Sequence, residues 1–132
     1  MSVRTAVDVP NAPPPGGPYS HAIAYNQLVF VSGQRPVDRV TGEIPEGFTD
    51  QVELVLENLK NVLQAAGSDI QHVLKVSVFL SDISHFDAFN TVYKQYFSSP
   101  YPARTTVGCQ LRGINVEVDC VAGLGPQQEL TA

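Results

Sequence analysis

The chain has no tryptophan, one methionine and only two cysteines, Cys109 and Cys120, in 132 residues. Two cysteines make neither a disulfide framework nor a thiolate metal set. Positive charge is scarce as well: eight Lys and Arg against thirteen Asp and Glu give a formal net charge of −5. Cations scattered through an acidic chain form no basic stripe for a phosphate backbone, which counts against nucleic acid as a partner. No apolar run approaches the roughly 18 residues of a membrane span. Residues 1–9 lack the apolar core of a signal peptide and the Arg-rich, acid-poor pattern of a transit peptide, so a cytoplasmic protein without membrane attachment is expected. His21, His72 and His85 have no metal-ligand spacing, and there is no C-x-x-C, Walker loop, G-x-G-x-x-G or G-x-S-x-G. Gly16-Gly17 is no phosphate loop, because no strand precedes it and no helix follows. Metal, nucleotide and covalent-triad chemistry find no support.

What is present is ordinarily globular: 43% hydrophobic residues, ten glycines and ten prolines. The length suits about one domain and a core that needs no covalent staple. A single domain over residues 1–132 is expected, with 1–12 as a flexible lead and 124–132 as a flexible tail. The four prolines between Asn11 and Pro18 exclude helix and central strand. That segment reads either as a flexible lead or as a rigid arm presenting Tyr19-Ser20-His21.

Strands are expected at residues 22–25 and 28–32, with a turn at Asn26-Gln27 and a stop at Gly33. Asp38 to Gly42 reads as a surface turn in which Gly42 supplies positive φ. From Asp50, apolar residues Val52, Val55, Leu56, Leu59, Val62, Leu63 and Ala66 recur at helical spacing. Asp50 with Glu53 resembles a capping box, and Gly67 is a natural stop. Alternation over residues 74–80 predicts a strand. A second helix follows, with Ser84 as its N-cap and Phe86, Phe89, Tyr93, Tyr96 and Phe97 as its apolar face. Residues 103–110 and 115–121 complete the set as strands joined through Arg112-Gly113.

The order β-β-α-β-α-β-β, with room for a short extra strand near the N-terminus, predicts an α+β fold. Two helices cover one face of a single mixed sheet, and the other face meets solvent or another subunit. Strand alternation on residues 103–110 groups Arg104, Thr106 and Gly108 against Thr105, Val107 and Cys109. On residues 115–121 and beyond it groups apolar Val116, Val118, Cys120 and Ala122 against Glu117, Asp119 and Val121. Both cysteines are therefore expected on core faces as packing residues. Arg104, Thr106, Glu117 and Asp119 are expected together on the uncovered face. Either they form a solvated, ion-paired strand surface, or Arg104 grips a carboxylate beside a Glu117 that positions or activates water. Asn90 interrupts the apolar stripe of the second helix, as a local backbone partner or as an amide supporting a site.

The segments Gly17-Pro-Tyr-Ser20, Val31-Ser-Gly-Gln34 with Thr41-Gly-Glu43, Glu57-Asn58-Leu59, Phe89-Asn90 with Tyr93, Pro102-Ala-Arg-Thr-Thr-Val107 and Val116-Glu-Val118 occur in one order. Together they resemble the RidA (YjgF-type) reactive-intermediate deaminases, from about Pro13 to Ala122. The resemblance implies a homotrimer of chorismate-mutase-like subunits, with sheets packed into a central barrel and sites at the subunit interfaces. It implies hydrolysis of 2-iminobutanoate or 2-iminopropanoate to the 2-oxo acid and ammonia, with no cofactor and no metal. By position, Arg104 would hold the substrate carboxylate and Glu117 the attacking water, while Tyr19, Ser32, Gly33, Asn90 and Thr106 would line the pocket. The family also suggests alternatives: an endoribonuclease acting on single-stranded RNA, or a non-catalytic 2-oxo-acid-binding or chaperone-like protein. The chain departs from the family at Thr106, where Cys is frequent, and at His21, where Gln is common. Its connection from Arg104 to Glu117 is about two residues shorter than in many members.

Overall fold

The computed structural model describes residues 3–124. Its six strands are β1 (Thr5–Ala6), β2 (Ala22–Tyr25), β3 (Leu28–Gln34), β4 (Val73–Leu80), β5 (Ala103–Gly108) and β6 (Val116–Gly123); its two helices are α1 (Phe48–Ala65) and α2 (Phe86–Tyr96). They follow the expected order, and the short additional strand is β1, paired antiparallel with β2. One mixed sheet runs β1-β2-β3-β6-β4-β5, antiparallel throughout except for the parallel pair β4–β5. β5 thus ends the sheet with one side unpaired.

Alternation sorts the sheet into two unlike faces. Val29, Val31, Val76, Val78, Leu80, Val116, Val118, Cys120 and Ala122 point to one side and are buried. Against them α1 lays the stripe Val52, Val55, Leu56, Leu59, Val62 and Leu63, and α2 adds Phe89, Val92 and Tyr93 in the same cluster. Burial of this apolar surface is the main stabilising term, at about 25 cal/mol per Å² removed from water. The far side, with Phe30 at 44% and Val107 at 39% exposed, has no helix of the described residues over it.

Local chemistry explains the boundaries, in part against expectation. Asn26 takes positive φ in the β2–β3 hairpin, and Gly42 does so in a turn whose Asp38 Oδ1 accepts from Val40 N and Thr41 N. Gly67, at φ 84°, stops α1 as its position predicted. The capping box does not form. α1 begins three residues earlier than Asp50 would require, with Gly47 at its N-cap, so Asp50 instead supplies negative charge to the first turn. Ser84 caps nothing either. It lies inside a short 3-10 turn whose cap is Asp82, with Oδ1 accepting from Ser84 N at 2.9 Å, and that turn runs directly into α2.

No helix among the described residues is long and apolar enough to cross a membrane. The tail expected at 124–132 falls almost wholly outside the described residues.

Candidate functional site

Strand register separates the residues that alternation had grouped. Arg104 pairs with Val76 and Thr106 with Val78, and both valines face the helices. Glu117 pairs with Phe79 and Asp119 with Ser77, on the opposite face. Arg104 and Thr106 therefore lie on the helix side, and Glu117 and Asp119 on the uncovered side. The reason is that β5 is an edge strand whose polarity pattern is inverted. Val107 is turned outward, while Arg104 lays its stem inward and is capped by aromatic rings. The same inversion corrects Cys109, which follows the end of β5 and is only half-buried; Cys120 is in the core as expected.

The Arg104 half of the arrangement is tightly held. Its Nη2 donates to Asn90 Oδ1 at 2.7 Å. The guanidinium carbon lies 4.8 Å from the Tyr93 ring centroid, 5.3 Å from Phe89 and 5.4 Å from Phe86. All four partners project from α2, so the break that Asn90 makes in the apolar stripe is an anchor for the arginine. A guanidinium carries five donors, so one bond to Asn90 orients the fork without exhausting it. The Tyr93 hydroxyl is buried beside it without a hydrogen-bond partner, and burial pushes its pKa up to about 12 against the pull of the Arg104 charge. The sequence had marked Phe86, Phe89 and Tyr93 only as packing residues. Their spacing is equally that of a core stripe, and nothing in it signals a cation.

The Glu117 half is built differently. It opens on a cavity of about 720 Å³ at the end of the sheet, which Tyr19, His21, Gly33 and the proline-rich arm also line. A methyl group at Gly33 would run into the Glu117 carboxylate, its carbon falling 3.0 Å from Cδ, so the glycine is what gives the carboxylate its place. Burial raises the Glu117 pKa above the usual carboxylate range; the Arg35 charge pulls it back and Asp119 adds to the rise. Ser32 Oγ donates to Ser20 O at 2.6 Å, and Ser32 N to His21 O at 2.9 Å. These bonds fix the Tyr19–His21 stretch beside Gly33. The arm in turn is strapped down: His21 Nε2 bonds Pro13 O at 2.6 Å, and Gly16 N donates to the Tyr19 hydroxyl at 3.3 Å. The proline-rich segment is thus bonded to the Tyr19–His21 stretch it leads into, the contact that the arm reading requires.

The structure thus brings Arg104, Asn90 and Thr106 together on one side, and Tyr19, Ser32, Gly33 and Glu117 on the other. Sequence reasoning missed Arg35, Arg39 and Arg112, which line the same cavity as Glu117 from two separate loops. It also missed what Asn58 does. Its buried amide donates to Arg35 O and Val37 O at 2.9 Å each and clamps one of those loops on α1. Three polar atoms at the cavity wall, His21 Nδ1, Asn58 Oδ1 and Asn61 Nδ2, are buried without a partner. Among the described residues no cluster of His, Cys, Asp and Glu could hold a metal.

Known proteins resemble the chain over nearly its whole length. The family model described as endoribonuclease L-PSP matches residues 9–124. Protein HMF1 of Saccharomyces cerevisiae is 40% identical over 92% of this chain and 96% of its own length. The 2-iminobutanoate/2-iminopropanoate deaminase of Capra hircus is 39% identical over 94% and 93%. The solved structure of TdcF from E. coli with bound serine superposes with a TM-score of 0.85, at 36% identity, covering 92% of this chain and 99% of that one.

Proposed function

The chain belongs to the endoribonuclease L-PSP family, also called RidA/YjgF, and on that footing we propose that it hydrolyses 2-imino acids such as 2-iminobutanoate and 2-iminopropanoate to 2-oxo acids and ammonia. The observation that carries the reading is Arg104. A guanidinium bonded to Asn90 and enclosed by three rings is a preorganised fork for a carboxylate, on a sheet edge open to a neighbour. The deaminase named among the relatives gives that carboxylate its chemistry.

In this reading the active unit is a cytoplasmic homotrimer with sites between subunits. Arg104 of one copy holds the substrate, and Glu117, Gly33, Ser32 and Tyr19 of a neighbour face it. The opposite placement of the two halves within one chain supports this, as does the sheet face that no helix of the described residues covers, where Phe30 and Val107 are exposed. Water held by Glu117 attacks the imine carbon. As the new C–O bond forms, the C=N electron pair moves to nitrogen, which takes up a proton. The carbinolamine then expels ammonia as the C–N bond breaks and the carbonyl forms. An imine carbon is already electrophilic, so orientation and proton transfer supply most of the acceleration. The raised pKa of Glu117 suits it to both taking and returning a proton.

The test is to add the purified protein to a pyridoxal-phosphate dehydratase acting on threonine, and to follow 2-oxobutanoate against a buffer control. Faster release of the oxo acid is expected. A rate equal to spontaneous hydrolysis, with single-stranded RNA cleaved in a parallel assay, would replace this reading with the ribonuclease one.

A further inference from the structure

Three of the chain's five arginines, Arg35, Arg39 and Arg112, line the cavity that holds Glu117. In a protein of net charge −5, this sets three cations against one carboxylate at a single place. The proposed reaction does not call for them: its carboxylate anchor, Arg104, is on the other face of the sheet. Nor does a small substrate fill the space. A four-carbon imino acid takes about 200 Å³ even at the ~30 Å³ per heavy atom that liquid water occupies, whereas the cavity measures about 720 Å³.

We propose that this cavity takes a second anionic group, so that the preferred ligands are 2-oxo and 2-imino acids with a distal carboxylate, held by Arg35 and Arg112. The inference rests on the deaminase reading for the orientation of the ligand, with its reacting carbon at Glu117. Arg35 is bonded in place, and the loop that carries Arg112 is tied to it. Arg35 Nη2 donates to Arg112 O at 3.0 Å, tying together the loops that carry the two residues. Asn58 clamps the Arg35 and Val37 carbonyls from α1. Asn61 Nδ2, a buried donor without a partner, is in the same wall. A planar fork held at one nitrogen, as that of Arg35 is, suits a carboxylate better than a mobile ammonium group would. Arg35 also lies close enough to Glu117 to offset part of the rise in its pKa, so an anion at Arg35 sits beside the reacting centre.

The experiment is calorimetric titration of 2-oxoglutarate, 2-oxobutanoate and inorganic phosphate into the full chain, and into Arg35→Leu and Arg112→Leu checked for folding by circular dichroism. Arg112→Leu leaves in place the main-chain carbonyl that Arg35 uses, so it separates lost charge from a disturbed loop. The wild type is expected to bind 2-oxoglutarate roughly tenfold more tightly than 2-oxobutanoate, the worth of one charge-assisted contact. That margin shrinks several-fold in either variant. Equal affinities, or a margin that survives both substitutions, overturn the proposal. So does phosphate binding that depends on Arg35 without any margin for 2-oxoglutarate, which would make the cluster a free-anion site. Hydrolysis of 2-iminobutanoate is measured alongside. If it proceeds while the margin is absent, the subsite alone fails; if it is absent while an Arg35-dependent margin persists, the deaminase reading fails and the subsite stands.

Discussion

The two sides of the β6–β4–β5 sheet hold their functional groups in opposite ways. On the helix side, Arg104 is locked by Asn90 and three α2 rings, a dense arrangement with one polar bond and a large aromatic contact. On the far side, Glu117 sits at the mouth of an open cavity, placed by the missing side chain of Gly33 and by charges rather than by packing. The first arrangement suits an anchor, whose geometry must not change. The second suits a group that exchanges protons with water. The contrast predicts different failures.

The largest effect is expected at Glu117. Glu117→Gln keeps size and hydrogen-bonding capacity but removes the base, so imine hydrolysis should fall by about 10²- to 10⁴-fold. Affinity for 2-oxobutanoate, measured by calorimetry, should stay within a few-fold of wild type. Normal turnover would make Glu117 structural. Next is Arg104→Lys, which keeps the charge but loses the planar fork and its stacking in the cage. Here binding itself should weaken by roughly tenfold or more. Undiminished binding of the oxo acid would put the anchor elsewhere. A smaller effect is expected for Gly33→Ala. The new methyl group displaces the far end of a flexible Glu117 side chain, not backbone, so the melting temperature should barely move while turnover drops roughly tenfold through misplacement. A large loss of stability with activity retained would contradict the role given to the glycine.

The smallest effect concerns pH. The pKa of Glu117 is raised on folding, so the stability tied to its protonation is fully present below the ordinary carboxylate pKa and is lost as pH rises through the raised value. Glu117→Gln has no such loss. It should melt about a degree or two above wild type near pH 7, with the gap closing near pH 4, a modest figure because the group is partly exposed. A wild type more stable than the variant at neutral pH would reverse the sign.

Much of this was legible in the amino-acid order. Helical spacing from Val52 to Leu63 and the alternation of β4 and β6 located the core, because one face of each must be apolar. The turn at Asn26-Gln27 and the positive φ of Gly42 were legible from turn chemistry, though the positive φ of Asn26 was not expected. The phase of β5 was not. An edge strand with mixed residues on both faces offers no apolar side to count, and aromatic rings half-bury an arginine on the face where the pattern expects an apolar residue. Nor could spacing show Arg35 and Arg112 meeting, since they are brought together by tertiary structure, through an Arg35 bond that spans 77 positions. The sequence offered Arg104, Thr106, Glu117 and Asp119 as one group, but strand register divides them between the two faces of the sheet.

The proposed site draws Arg104 from one copy and Glu117 from another. The direct measurement mixes two inactive variants, Arg104→Ala and Glu117→Gln, in equal amounts, unfolds and refolds them together, and assays imine hydrolysis. If the halves come from different copies, mixed oligomers contain intact sites, and random assembly restores about a quarter of wild-type activity. If both residues serve the same site from one chain, every site keeps a defect, and activity no higher than that of either variant alone would contradict the claim.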